Sequence, residues 1–241
     1  MKKKIIAACF VLIALTIYGC STQIVKLETL EEKDYYKGRE IVTKEDDKIG
    51  VSVEVDSYSG EQVVFYVHFE NKSGNKILVE PKDFYVEAMK KDLISVEPYF
   101  KRLYALDPEK QINKINQDME NRKTEHSVLT GLNATLALVS LVVDLTDKNE
   151  ENDVNQVSRD VAVWADNQVN EEMDYDASMR EHKSQKEFWK NEVMRITDLY
   201  PNDSVGGLIF VPLDKRAELL KFSIHVDNKV FTFLYKKVIV E

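Results

Sequence analysis

Cysteine is nearly absent from this 241-residue chain. Its two cysteines, Cys9 and Cys20, both lie in the first 20 residues, and no cysteine follows them. The folded part of the protein therefore has no disulfide, no cysteine-ligated metal site and no thiol nucleophile. We expect its fold to be held by side-chain packing alone.

An excess of positive charge is also lacking. The chain has 33 Lys and Arg against 42 Asp and Glu, a formal net charge of −9. Loss of a leader carrying Lys2, Lys3 and Lys4 would make the charge −12. Nucleic-acid binding begins with clustered basic residues, so we expect no nucleic-acid partner. Charge alone would not attach such a chain to anionic lipid headgroups either.

Motifs for catalysis and for metal binding are missing as well. The four histidines show no metal-ligand spacing, and the sequence has no H-E-x-x-H, G-x-S-x-G or phosphate-binding Walker loop. One S-x-x-K occurs, from Ser73 to Lys76, without the partner motifs of its enzyme class. We therefore expect no enzymatic activity, no metal and no cofactor. The alternative is an envelope hydrolase that gathers Asp, Glu and His from distant positions.

A short apolar run opens the chain. Lys2 to Lys4 precede an apolar stretch from Ile5 to Tyr18. As a helix this stretch would be about 21 Å long, less than the ~30 Å hydrocarbon core of a bilayer. A positive segment followed by a short apolar segment is typical of a secretion signal peptide, here residues 1–19.

The end of that run resembles the bacterial lipobox. Ile17 and Gly19 match the pattern before the cysteine, while Tyr18 is bulkier than the usual residue. The resemblance implies that Cys20 carries acyl chains such as palmitate and anchors the protein to a membrane. The residue after the cysteine is Ser21 and not Asp, and in this the sequence resembles lipoproteins that are sorted to the outer membrane. We expect a lipid-anchored protein of the bacterial cell envelope, facing the periplasm or the surface.

Alternating apolar residues predict β-strands in two separate parts of the chain. One face of the first part carries Ile49, Val51, Val53 and Val55, and the pattern recurs over residues 63–69. Near the C-terminus, Asp227-Asn228-Lys229 predicts a tight hairpin between two further strands. About seven or eight short strands with such alternation favour an antiparallel sandwich.

The region between the β-rich parts has a helical pattern. Asp107 is a predicted N-cap and Pro108 a first helical residue. Val128 to Val143 is a helix candidate without charged residues. We interpret this candidate as the buried central helix of a small bundle, the alternative being a helix that contacts a membrane, a hydrophobic ligand or a partner.

These patterns predict an α+β protein in which a helical insertion interrupts one antiparallel β-sandwich. The predicted boundaries are a tether over 20–39 with room for one short strand, a discontinuous sandwich over 40–103 and 200–241, and a helical insertion over 104–199.

The stretches "VVFYVHFENKSGNKILVEPKDFYVEA" and "SVGGLIFVPL" resemble immunoglobulin-like (Ig-like) domains of bacterial envelope lipoproteins of unassigned function. The resemblance implies a strand, a turn beginning at Asn71 and a paired strand, and it implies no catalytic residues. We therefore expect a non-catalytic binding module that contacts an envelope protein or ligand. The alternative is a carrier or chaperone of a hydrophobic ligand, with residues 128–143 as the pocket wall.

Overall fold

Two antiparallel sheets and two long helices make up the described part of the chain, which confirms the predicted α+β class. The structure is a computed structural model that describes residues 24–59, 61–90, 102–146 and 153–240, with only the helical backbone described over 131–146 and 153–164. The strands are β1 (Ile24–Thr29), β2 (Asp34–Tyr36), β3 (Arg39–Glu45), β4 (Ile49–Tyr58), β5 (Gln62–Asn71), β6 (Ile77–Val79), β7 (Tyr85–Met89), β8 (Arg102–Tyr104), β9 (Thr197–Leu199), β10 (Ser204–Pro212), β11 (Leu219–Val226) and β12 (Lys229–Val240). The helices are α1 (Pro108–Thr146) and α2 (Asp153–Asn191), and a single 3-10 turn covers Pro81–Asp83.

The five-stranded sheet has the order β10-β5-β4-β3-β2, with every neighbour antiparallel. Alternation along its strands matches the sequence pattern, since Val51, Val53, Phe65, Val67 and Phe69 are completely buried. The residues between them on β4 and β5 point to the opposite face, because successive side chains of a strand alternate. One face of this sheet is therefore core, and the other is free to present polar groups.

The seven-stranded sheet is centred on β11. β12 and then β1 lie on one side of β11, and β6 and β7 share its other edge, with β9 beside β6 and β8 beside β7. The predicted hairpin is confirmed, because Val226 pairs with Lys229 and Asp227 has a φ of +55°. Asp tolerates this left-handed conformation better than most residues.

Aromatic residues pack the two sheets face to face in a sandwich-like arrangement. Phe65 of β5 stacks on Phe222 of β11, with ring centroids 4.2 Å apart and planes 4° from parallel. Tyr235 of β12 lies 5.4 Å from the same Phe65 ring. Burial of each aromatic side chain away from water stabilises the fold by about 1.5–3 kcal/mol. One hydrophobic core thus joins strands from both ends of the sequence.

The turn that begins at Asn71 differs from the expectation. A paired strand was expected after it, but β6 lies in the other sheet and pairs with β9 and β11. At this turn the chain crosses from one sheet to the other, and the Asn71 side chain is hydrogen-bonded to β9 of the second sheet. Its Nδ2 donates to the carbonyls of Asn75 and Leu199, each at 2.8 Å.

The expected tether over 20–39 contains two strands. β1 pairs with β12 along its whole length, from Ile24 opposite Val240 to Thr29 opposite Tyr235, and Leu27 is buried. β2 pairs with β3. The sequence allows one short strand in this segment, but it does not predict that the strand pairs with β12, which lies about 200 residues away in the sequence.

The helical region forms one long hairpin. Each helix has 39 residues and is about 58 Å long. Asp107 caps α1 as predicted, since its Oδ1 accepts the Glu109 N–H at 3.0 Å, and Pro108 is the first helical residue. The stretch after Pro108 and the apolar stretch 128–143 have different sequence patterns, but they belong to one continuous helix, α1.

Candidate functional site

An open groove of about 700 Å³ lies on the outer face of the five-stranded sheet. It crosses strands β2 to β5 and so spans most of the width of that sheet. The lining residues are Asp34, Tyr36, Lys37, Arg39, Ile41, Thr43, Ser52, Glu54, Tyr66 and His68.

Strand register sets the rows of side chains in this groove. Glu54 of β4 lies opposite Ile41 of β3 and Tyr66 of β5. Ser52, one row along, lies opposite Thr43 and His68, and its Oγ is 2.9 Å from Thr43 Oγ1. The groove floor is therefore as rigid as the sheet, since core residues occupy the alternate positions.

Arg39 forms an ion-pair network at one end of the groove. Its Nη1 donates to Glu54 Oε1 at 2.6 Å and to Asp56 Oδ1 at 3.1 Å. The Glu54 side chain is ion-paired with Arg39 and only 13% exposed, so its carboxylate is largely shielded from solvent. The Arg39 guanidinium and the Glu54 carboxylate each have more hydrogen-bonding positions than this contact uses.

Two tyrosines stand at opposite sides of the groove. Tyr36 on the edge strand β2 is 61% exposed, and the Lys37 Nζ lies 5.2 Å from its ring centroid. Tyr66 on β5 is 39% exposed. Gly206 of β10 makes room for the Tyr66 ring, since a Cβ at Gly206 would come within 2.9 Å of Tyr66 Cζ.

The neighbouring Gly207 has a different role. A Cβ there would lie 2.9 Å from the backbone nitrogen of Met194, which donates to the Leu208 carbonyl at 3.0 Å. Gly207 therefore lets two backbone segments approach closely, a common role of glycine within a strand. The chain after α2 thereby lies against the edge of β10.

The base of the helical hairpin is fixed to β10 by aromatic contacts. Phe210 lies 5.2 Å from the Trp189 ring and 6.0 Å from the Phe188 ring. Leu106, just before α1, donates its N–H to the Phe210 carbonyl at 2.8 Å. Both ends of the hairpin therefore cover the β10 edge, while the groove opens toward the β2 edge.

A polar layer joins α1 and α2 near the middle of the hairpin. Arg122 Nη1 lies 3.0 Å from Glu171 Oε1, and His126 Nδ1 lies 3.3 Å from the same oxygen. The His126 ring stacks on Tyr175 with centroids 4.0 Å apart. This layer fixes the register of the two helices.

The carboxyl groups with the lowest pKa values lie in turns, outside the groove. Hydrogen bonds from Lys229 and from two backbone N–H groups lower the pKa of Asp46 to about 2. Arg216 lowers the pKa of Asp214 to about 2 in the same way. Such lowered values are typical of ion-paired structural carboxylates. Among the described residues, no three His, Cys, Asp or Glu side chains form a metal-binding group.

Several sequence-predicted positions lie outside the described residues. These are the signal peptide 1–19, the acylation site Cys20, and the side chains of 131–143 within the apolar helix candidate. Lipid anchoring and a hydrophobic carrier role therefore stay predictions. None of the helices in the described ranges combines the length and the apolar character needed to cross a membrane.

The histidines of the two sheets differ in their surroundings. Alternation along β5 and β11 puts His68 and His225 on the faces opposite the core. His68 is half-buried in the groove. His225 is also half-buried, since its ring lies 5.5 Å from the Tyr85 ring and its Nε2 is buried without a hydrogen-bond partner. Outer-face residues of a sheet can cover each other, which alternation alone does not show.

The groove itself is the feature that the sequence analysis missed. The available signal was the polar and aromatic series Tyr66, His68, Ser52 and Glu54 on the faces opposite the core. The S-x-x-K serine, Ser73, lies apart from the groove and donates to Asn71 Oδ1 at 2.7 Å. No protein family, curated protein or solved structure matches this chain significantly.

Proposed function

We propose that this protein is a lipid-anchored component of the bacterial cell envelope that acts as a non-catalytic binding module. Cys20 carries the anchor, and the groove on the five-stranded sheet is the main contact surface. The observation that supports this most strongly is a set of exposed aromatic and hydrogen-bonding side chains on a rigid sheet. Sites of this kind lose little conformational entropy when they bind.

The arrangement of the groove favours binding over acid–base catalysis. Glu54 is its most shielded carboxylate, and Glu54 Oε1 accepts a hydrogen bond from Arg39 Nη1 at 2.6 Å, so the pair is arranged to hold a ligand by hydrogen bonds. We also propose that the sandwich is Ig-like. The antiparallel sheets with one shared core support this assignment.

The anchor is tested with the full-length chain in its native envelope. We expect mass spectrometry to find acyl chains on an N-terminal Cys20, and detergent-phase partitioning to be lost in a Cys20→Ser variant. A Cys9→Ser variant is the matched control, because Cys9 lies within the leader and should not affect acylation. An unmodified Cys20 in the mature protein would refute the anchor.

The binding surface is tested by cross-linking and capture from native envelopes. A Tyr36→Ala/Tyr66→Ala variant should recover its envelope partner at least about tenfold less well, since exposed tyrosines commonly contribute more than 1 kcal/mol each to an interface. Tyr200→Ala is the control, because Tyr200 is 57% exposed outside the groove. Unchanged capture by the double variant would refute the groove as the contact surface.

The helical hairpin is compared in the same experiment. Val169 and Met173 are 56% and 64% exposed on α2, one turn apart. A Val169→Lys/Met173→Lys variant should keep its partner if the groove is the contact surface. Loss of capture in this variant alone would move the contact surface to the hairpin.

A further inference from the structure

The groove combines carbon surface with hydrogen-bonding groups. Of its ten lining side chains, nine carry a hydrogen-bonding group, yet carbon atoms form most of the surface that a ligand would meet. The polar groups include the hydroxyls of Thr43 and Ser52 and the charged Arg39–Glu54 pair. A ligand that fills this groove must itself present both apolar faces and hydrogen-bonding groups, since unpaired polar groups weaken binding.

Charges in the groove balance. Asp34 and Glu54 supply two negative charges, and Lys37 and Arg39 supply two positive charges. The whole chain is negative, with a formal charge of −9. A polyanion would be repelled over long distances, and a polycation would meet Lys37 and Arg39 in the groove. The charge distribution therefore favours an uncharged ligand.

The two tyrosine rings supply flat apolar faces at the two sides of the groove. Tyr36 and Tyr66 lie on β2 and β5, three interstrand steps apart, which corresponds to about 14 Å across the sheet. Both rings are accessible, at 61% and 39% exposure. A pyranose ring presents C–H groups on its faces and hydroxyl groups around its rim, so it can stack on tyrosine while it hydrogen-bonds to neighbouring side chains.

We propose that the groove binds an uncharged oligosaccharide, with sugar rings stacked on Tyr36 and Tyr66 and hydroxyl groups bound by Arg39, Glu54 and Ser52. This inference rests on the proposed function, in which the groove is the contact surface. A distance of about 14 Å between the two strands requires several linked sugars rather than one. Gly206 is a positioning residue, because its missing side chain allows the Tyr66 ring to lie over β10.

A peptide fits this groove less well. Peptide ligands of aromatic grooves place apolar side chains in apolar pockets, and Ile41 is the only aliphatic residue here. An extended peptide would instead pair with a free strand edge such as that of β2. Peptide binding is therefore an outcome that the experiment must distinguish.

The test is a nuclear magnetic resonance titration of the mature chain with neutral tetrasaccharides. The probes are chitotetraose, cellotetraose, maltotetraose and mannotetraose, and a proline-rich peptide serves as the competing ligand class. We expect at least one sugar to shift the amide signals of β3 to β5. Tyr36→Ala and Tyr66→Ala should weaken that binding at least about tenfold, and Tyr200→Ala should leave it unchanged.

A Gly206→Ala variant tests the positioning role separately. It should weaken sugar binding about as strongly as Tyr66→Ala while its amide spectrum remains that of a folded protein. If sugar binding is unchanged in Gly206→Ala, the Tyr66 ring does not stack on the ligand.

The outcomes separate this inference from the proposed function. If no sugar shifts the groove signals at millimolar concentration, or only the peptide does, the glycan inference is overturned. In that case envelope capture that still depends on Tyr36 and Tyr66 would leave the proposed function standing. If capture and sugar binding are both independent of these tyrosines, both proposals are wrong.

Discussion

Loss of the Asn71 side chain should destabilise this fold, because it removes several polar contacts at once. Asn71 is completely buried. Its Nδ2 donates to the carbonyls of Asn75 and Leu199 at 2.8 Å each, and its Oδ1 accepts the Ser73 N–H at 2.9 Å. Its backbone also accepts from Asn202 at 2.8 Å. One side chain thus joins the end of β5, the turn after it, and β9.

Replacing Asn71 with Ala removes these side-chain bonds and leaves the Leu199 carbonyl buried without its side-chain donor. An unsatisfied buried polar group costs about 1–3 kcal/mol, and the more exposed partners can regain bonds to water. We therefore expect the free energy of unfolding to fall by about 2–4 kcal/mol. No disulfide in the folded part can offset this fall in the free energy of unfolding, because no cysteine follows Cys20.

Urea denaturation followed by circular dichroism measures this loss. Asn113→Ala is the matched control, since Asn113 is exposed on α1 and its replacement should change stability by less than about 0.5 kcal/mol. Ser73→Ala should cost less than Asn71→Ala, because only the hydroxyl bonds of the same turn are lost. A loss below about 1 kcal/mol for Asn71→Ala would refute this account of the turn.

Two further substitutions test an ion pair and a close backbone approach. Asp46→Asn should lower stability by about 1 kcal/mol at neutral pH, after screening by solvent. Because hydrogen bonds from Lys229 and the backbone lower the pKa of Asp46 to about 2, this contribution is complete above about pH 4 and is lost as the pH falls through 2. A difference between variant and wild type that stays constant across this range in urea titrations would contradict it. Gly207→Ala should cost about 1–3 kcal/mol, because its Cβ would meet the Met194 backbone, whereas Gly74→Ala should be neutral since nothing lies within 4 Å. Equal melting temperatures for these two glycine variants would show that the Met194 segment can move away.

Local patterns predicted those elements whose physical cause lies within a few residues. The alternation of Val51 and Val53 identified the core face of β4, and Asp107-Pro108 identified the start of α1. The Asp227-Asn228 turn identified the last hairpin. In each case neighbouring side chains and the backbone fix the conformation, so no distant contact is needed.

Partner choice between strands could not be predicted in this way. β1 lies in a polar segment where the sequence allows one short strand, yet only the structure shows that it pairs with β12, about 200 residues later. The turn at Asn71 has the composition of a hairpin turn, yet the carbonyl of Leu199 holds it in a crossing between sheets. The energy of such contacts depends on residues that are remote in the sequence.

The sequence by itself determined the α+β class, the apolar and polar faces of the main strands, and the absence of any disulfide in the folded part. These properties follow from periodicity and composition, which act locally along the chain. Only the tertiary structure decided that Tyr36, Arg39, Glu54 and Tyr66 line one groove. Their meeting depends on strand order and register, and those are set by how the two sheets share a single core.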